Sequence, residues 1–152
     1  MSEMNNKLDQ MMMLCSKAHK GQMYGNKPYT YHLHQVVNTY RNLVKVTDTE
    51  DEDIADMACM GHDLLEDTDI TKEHLTGMGI PDVVVTAIDL VTKKPNVPYD
   101  EYISKIGLDE LAFNVKVCDT YSNLTESLKD GNKRRIMRYT TQLQKLYNAK
   151  RF

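Results

Sequence analysis

Apolar residues recur at three- to four-residue spacing along most of this 152-residue chain, and the breakers fall between the periodic stretches. Only four Pro and seven Gly are present. Leu8, Met11, Met12, Cys15 and Ala18 mark a first amphipathic helix, which the GQMYGNKP stretch at 21–28 breaks. A second helix is predicted from about Tyr31 to Val44, with Val36, Val37, Tyr40, Leu43 and Val44 as its apolar stripe. The acids of TDTEDED at 47–53 open a third, where the helix dipole favours negative charge. Its period runs on through Ile54, Met57 and Ala58 to Leu64 and Leu65.

Thr71 is placed to cap a short helix ending at Gly77, and Pro81 suits the first turn of the next. VVVTAIDLV at 83–91 is β-branched enough to be a strand. The Pro start signal and the lack of any partner strand favour a helix. Tyr99–Ile106, Leu108–Leu128 and Lys133–Lys150 complete the set. The expectation is an all-α bundle of about seven or eight helices, forming one domain over residues 1–152.

Composition excludes several classes of protein. A net charge of −3 gives no basic field for nucleic acid. No apolar run nears the roughly 20 residues of a membrane span. The N-terminus lacks a basic start followed by an apolar block, so no secretory signal is read. Cys15, Cys59 and Cys118 are isolated thiols, which suits a reducing cytoplasm. A small-molecule partner is expected, with no nucleic acid and no membrane, and a homo-oligomer is compatible with the sequence.

The chemistry concentrates in GHDLLEDTD at 61–69. On a helix, His62, Asp63, Glu66 and Asp67 share one stripe, because residues three and four apart are neighbours. Crowded carboxylates need a positive charge among them, and imidazole with carboxylate suits a divalent ion. Two further candidates stand on other helices. His32 follows the PYTY turn, and Asp119 lies among Val115, Val117 and Cys118, where an unpaired charge is costly. Together, His32, His62, Asp63 and Asp119 offer two imidazoles and two carboxylates from three helices. Each alone has a plain structural reading; so does the Met run at 11–13, which reads as core filler. His19, His34 and His74 are taken as structural or exposed. No phosphate-binding glycine loop is present.

These residues also carry a resemblance. The segments AHKGQ (18–22), PYTYH (28–32), GHDLLEDT (61–68), VTKKPNVPYDEYISKI (91–106) and VKVCDTYSNL (115–124) occur in the order of the HD-domain hydrolases. Among these the chain resembles the small stand-alone hydrolases related to the RelA/SpoT alarmone enzymes, over residues 14 to about 140. The resemblance implies that His32, His62, Asp63 and Asp119 hold a metal, usually Mn²⁺, with Fe, Zn or Co as alternatives. It implies that Glu66 and Asp67 position or deprotonate the attacking water. Asn123 matches a residue near the nucleoside, and Arg135 with Tyr139 matches a pair that touches phosphate and sugar. Lys27 and Lys116 join the expected substrate shell, Lys116 as a phosphate clamp. Lys93 and Lys94 read as surface residues.

The implied activity is removal of the 3′-pyrophosphate of (p)ppGpp-like guanosine nucleotides. Two alternatives stand beside it. One is a phosphatase acting on another nucleotide, such as NADPH or a deoxynucleotide. The other is a nucleotide-binding module without turnover. The substrate shell departs from the family at several points. Met23 and Tyr24 stand where an Arg packs on the base, Leu33 replaces a Pro, and Asp119-Thr120-Tyr121-Ser122-Asn123 lacks the Arg and His usual there. Tyr24 is the candidate that stacks on a purine instead.

Overall fold

Several helices begin where a side chain takes up the first free N–H groups. In the computed structural model, which describes residues 2–152, Ser2 caps α1 (Glu3–Ala18), Asp48 caps α3 (Thr49–Gly61) and Asp109 caps α8 (Glu110–Asp130). Asn132 caps α9 (Lys133–Ala149) in the same way. Thr71 caps α5 (Lys72–Gly77), as its position after an acidic loop predicts. Pro28, Pro81 and Pro98 precede α2 (Tyr29–Leu43), α6 (Asp82–Val91) and α7 (Tyr99–Ile106) with no side-chain cap. Gly131 ends α8 with a positive φ of 65°, a conformation that favours glycine.

Counting the single turn α4 (Leu64–Asp67), nine helices are described, one more than the upper expectation. The extra one comes from a break. The predicted third helix was continuous through the acidic cluster, but α3 stops at Gly61, and His62–Asp63 form a turn before α4. The GQMYGNKP stretch also holds more than a break. Met23–Tyr24 (β1) and Lys27–Pro28 (β2) pair antiparallel as a minimal hairpin. The β-branched 83–91 stretch is the helix α6.

Helix α3 is central and packs against α1, α2, α6 and α8. Every residue from Ala55 to Gly61 is buried. Gly61 permits the closest approach, since a Cβ there would lie 2.8 Å from Ile88 Cδ1 on α6. Met57, Met60, Leu33, Val36, Ile88 and Leu64 meet in one hydrophobic cluster. Each such side chain contributes on the order of 1.5–3 kcal/mol by leaving water. Of the expected α2 stripe, Val36, Val37 and Tyr40 are buried, whereas Leu43 is 54% exposed at the helix end. Met11 is core and Met13 faces solvent.

Helix α8 packs against α2, α6 and α9, which brings its midpoint opposite the start of α2 and the end of α3. Helix α9 and the tail after it, residues 133–152, hold seven Lys and Arg and no Asp or Glu. No described helix is long and apolar enough to cross a membrane.

Candidate active site

Three side chains, His32, His62 and Asp119, converge where α2, the α3–α4 break and α8 meet, and Asp63 joins them through His62. His32 Nε2 lies 2.9 Å from Asp119 Oδ1. His62 Nε2 lies 3.4 Å from that same oxygen and 2.9 Å from Asp63 Oδ2. His32, His62 and Asp119 are buried, and Asp63 is largely so. The break at 62–63 explains how consecutive residues reach one point. On an unbroken helix, neighbours diverge around the axis; here the turn sets Asp63 Oδ2 against His62 Nε2, while His62 groups with His32 and Asp119 and Asp63 with Glu66 and Asp67, each set within 4.8 Å.

The tautomer of His62 is set from behind. Its Nδ1 donates to the Cys59 carbonyl at 2.7 Å, so Nε2 presents a lone pair. That lone pair faces two carboxylate oxygens and has no hydrogen-bond partner among the described residues. The arrangement is repulsive unless a cation lies between them. Without a metal, the cluster demands a proton there. Burial disfavours a charged His62, but Asp63 and Asp119 outweigh it and hold its pKa well above the ordinary imidazole value. Burial would raise Asp119, yet Lys116, His62 and the bond from His32 hold it well below the usual carboxylate range. Asp63 is also held low against burial, chiefly by His62. Two imidazole nitrogens and two carboxylates around an orphaned lone pair fit a borderline divalent ion such as Mn, Fe, Zn or Co.

Glu66 and Asp67 sit on α4 beside this cluster. One oxygen of each lies within 4.8 Å of one on Asp63, forming a second acidic group. Glu66 accepts from the Lys93 backbone N–H at 2.8 Å, so the segment after α6 fixes its carboxylate. Asp67 faces solvent, and partial desolvation with Asp63 and Glu66 nearby raises its pKa.

The expected substrate residues divide into two places. Tyr24, Lys27, Asn123, Arg135 and Tyr139 line one cavity of about 530 Å³. Tyr24 donates to Asn123 Oδ1 at 2.7 Å, and Asn123 Nδ2 donates to Asp119 at 3.3 Å, tying this cavity to the cluster. The Tyr24 ring also lies on His32. Lys27 Nζ stands 3.9 Å from the Tyr31 ring centre. Lys116 lies elsewhere: it is partly buried and pairs with Asp119 Oδ2 at 3.1 Å.

Sequence reasoning missed three participants. Tyr29 donates to Asp63 Oδ2, Arg138 lines the cavity over the Tyr139 ring, and Gln22 donates to the Asp67 carbonyl. The PYTYH segment already held Tyr29, three residues before His32 on the same helix face. Arg138 gave no such signal. Cys15, Cys59 and Cys118 are buried, which pushes their thiols up and disfavours the thiolate form.

No family model and no curated protein matches the chain. Among solved structures, a metazoan ortholog of SpoT, described as hydrolyzing ppGpp and playing a role in starvation responses, aligns with 94% of this chain and 84% of its own. The TM-score is 0.74 at 22% sequence identity. The chain has the all-α fold of that SpoT ortholog.

Proposed function

We propose that the protein is a metal-dependent nucleotide phosphohydrolase that removes the 3′-pyrophosphate of (p)ppGpp-like guanosine nucleotides. The observation that carries the reading is the orphaned His62 Nε2 facing Asp63 and Asp119, with His32 beside them. His32, His62, Asp63 and Asp119 would hold the metal, for which Mn²⁺ is the proposal. A divalent cation bound there acidifies water and draws charge from phosphoryl oxygens.

The remaining work falls to side chains. Glu66 and Asp67 orient the attacking water and take its proton as its oxygen bonds to the phosphorus nearest the ribose. The bond from that phosphorus to the ribose 3′ oxygen breaks, the 3′ oxygen gains a proton, and pyrophosphate leaves. A positioned base of this kind contributes roughly 10²- to 10⁴-fold. Lys116 holds Asp119 in place and adds positive charge near the phosphate. Tyr24, Asn123 and Tyr139 bind base and sugar, while Lys27, Arg135 and Arg138 attract the distal phosphates. A cytoplasmic location and one domain spanning the chain complete the proposal.

A second reading rests on Tyr24. Its ring is on His32 and its hydroxyl is on Asn123, so the base shell differs from one built around an Arg. That difference keeps another nucleotide, such as NADPH or a deoxynucleotide, as the alternative substrate. One experiment separates the readings. Purified protein with Mn²⁺ is incubated with ppGpp, pppGpp, NADPH and deoxynucleotides, and released phosphate and pyrophosphate are identified. Pyrophosphate from ppGpp and pppGpp is expected. Phosphate from NADPH alone would reassign the substrate, and binding without any release would leave a nucleotide-binding module.

A further inference from the structure

The cavity beside the cluster holds a carboxylate that the proposed reaction leaves unused. Glu126 lines it, one helical turn beyond Asn123 on α8. Asp119, Asn123 and Glu126 are spaced by four and three residues, so they follow one another along a single helix face. Asn123 Nδ2 bonds Asp119 at 3.3 Å, which keeps Asn123 beside the cluster. Glu126 is about 10 Å of helix axis away from Asp119. With phosphorus at the cluster and the sugar at Asn123, the base falls to Glu126.

This carboxylate is held by one oxygen. The Tyr31 hydroxyl donates to Oε1 at 3.0 Å, Gln35 Nε2 donates to it at 2.9 Å, and Lys129 Nζ lies 3.4 Å from it. Oε2 takes no hydrogen bond among the described residues. Burial would raise its pKa, but the Tyr31 bond, Lys129 and Gln35 hold Glu126 below the ordinary glutamate value. The fold itself needs only Oε1, since a neutral amide oxygen would accept from Tyr31 and Gln35 equally well. Lys129 is an exposed partner one turn on, and exposed pairs of this kind contribute little. The negative charge and the second oxygen are therefore surplus to packing.

An ionised carboxylate only accepts hydrogen bonds. In a cavity that also holds Lys27, Arg135 and Arg138, this one repels phosphate and attracts N–H groups. Guanine presents two such donors side by side, N1–H and the N2 amine. Hypoxanthine keeps N1–H and lacks the amine. Adenine turns a bare N1 to the same edge, which a carboxylate repels.

We infer that Glu126 is a specificity-determining residue, accepting through Oε2 from the N1–H and N2 amine edge of guanine. The inference rests on the hydrolase reading above and adds to it the side chain that selects the base.

The test uses GDP, IDP and ADP, which carry no 3′ pyrophosphate, so their affinity for Mn²⁺-loaded protein is measured by calorimetry without turnover. Wild type should bind GDP about 10-fold or more tighter than IDP, with ADP weakest. Glu126→Gln keeps an oxygen for Tyr31 and Gln35 and turns a donor amide toward the base. In that variant GDP should bind about 10- to 100-fold more weakly, the gap between GDP and IDP should close to within about threefold, and ADP should bind no more weakly than GDP. Equal affinity for GDP and IDP in wild type overturns the inference without any variant. So do a wild-type preference for ADP, no measurable binding of any of the three, an unchanged gap in Glu126→Gln, or an equal loss for all three. A wild type that keeps the GDP preference but releases no pyrophosphate from ppGpp supports the base assignment and counts against the proposed function alone.

Discussion

The Tyr24 ring lies nearly flat on the His32 imidazole, with centroids 4.5 Å apart and 13° between the planes. A residue of the small hairpin therefore braces a candidate metal ligand on α2. Its hydroxyl reaches Asn123 on α8, so one side chain links three elements at the cluster. Tyr24→Phe keeps the brace and should leave Mn²⁺ affinity within about twofold. Tyr24→Ala removes it and should weaken Mn²⁺ binding by about 10-fold or more, as changes behind metal-ligating histidines do. Calorimetric titration of both variants checks this, and wild-type affinity in Tyr24→Ala would refute it.

Asp63 and Glu66 should separate by their metal content. Asp63→Ala removes one of the two oxygens facing His62, so the variant should lose bound Mn²⁺ and turnover together. Glu66→Gln keeps an acceptor for the Lys93 N–H and should retain the metal while losing roughly 10²- to 10⁴-fold in kcat. Elemental analysis beside steady-state rates decides the matter. Metal loss in Glu66→Gln would move that side chain among the ligands.

The pH dependence of stability should change shape with the metal. In metal-free protein the folded pKa of His62 is raised: burial opposes the charge, and Asp63 and Asp119 prevail. Its contribution is complete below the ordinary imidazole range and is lost as pH climbs through the raised value. Asp63 and Asp119 have lowered folded values, the second through Lys116 and His62 acting against burial. Their contributions are complete above the ordinary carboxylate range and vanish as pH falls through the lowered values. Stability in EDTA should therefore peak between roughly pH 4 and 6.5 and decline on both sides. With saturating Mn²⁺ the alkaline decline should disappear, because the cation replaces the proton on His62. Melting temperatures from pH 4 to 9, with and without EDTA, show whether it does.

Gly107 should be intolerant for a steric reason. A Cβ there would lie 2.1 Å from the Ala149 carbonyl oxygen, and Gly107 O accepts from the Arg151 N–H. Gly107→Ala must push the end of α9 away. We expect a loss of about 1–3 kcal/mol and a fall in Tm of roughly 2–12 °C, with Mn²⁺ binding intact. An unchanged Tm would show that the helix end yields freely.

Much of the fold was legible because its signals are local. Thr71 as a cap, the Pro81 start and the Tyr99–Ile106 period each act within one or two turns, and the structure places them as read. The four candidate metal ligands were legible as residue types; the structure brings ligand atoms of His32, His62 and Asp119 within 4.8 Å of one another, and Asp63 reaches that group through His62. What the sequence did not reveal depended on backbone direction. The 3.6-residue period runs smoothly across 61–64, so nothing signalled that the helix stops to turn His62 and Asp63 toward one point. The hairpin at 23–28 is too short for strand alternation to register. Arg138 joins the cavity because α9 folds back along α8, a relationship between helices that spacing within one helix does not encode.

The one-sided composition of α9 has an electrical consequence. With five cationic side chains on α9, two more on the tail after it and a whole-chain charge of −3, the remainder of the molecule is the more acidic part. The protein is thus a dipole whose positive end carries Arg135 and Arg138 in the lining of the cavity. A polyphosphate approaching at random feels a torque and a pull toward that end before it touches anything, over roughly the 8 Å that physiological salt allows. For the proposed substrate, capture would then begin as orientation in a field, ahead of any hydrogen bond.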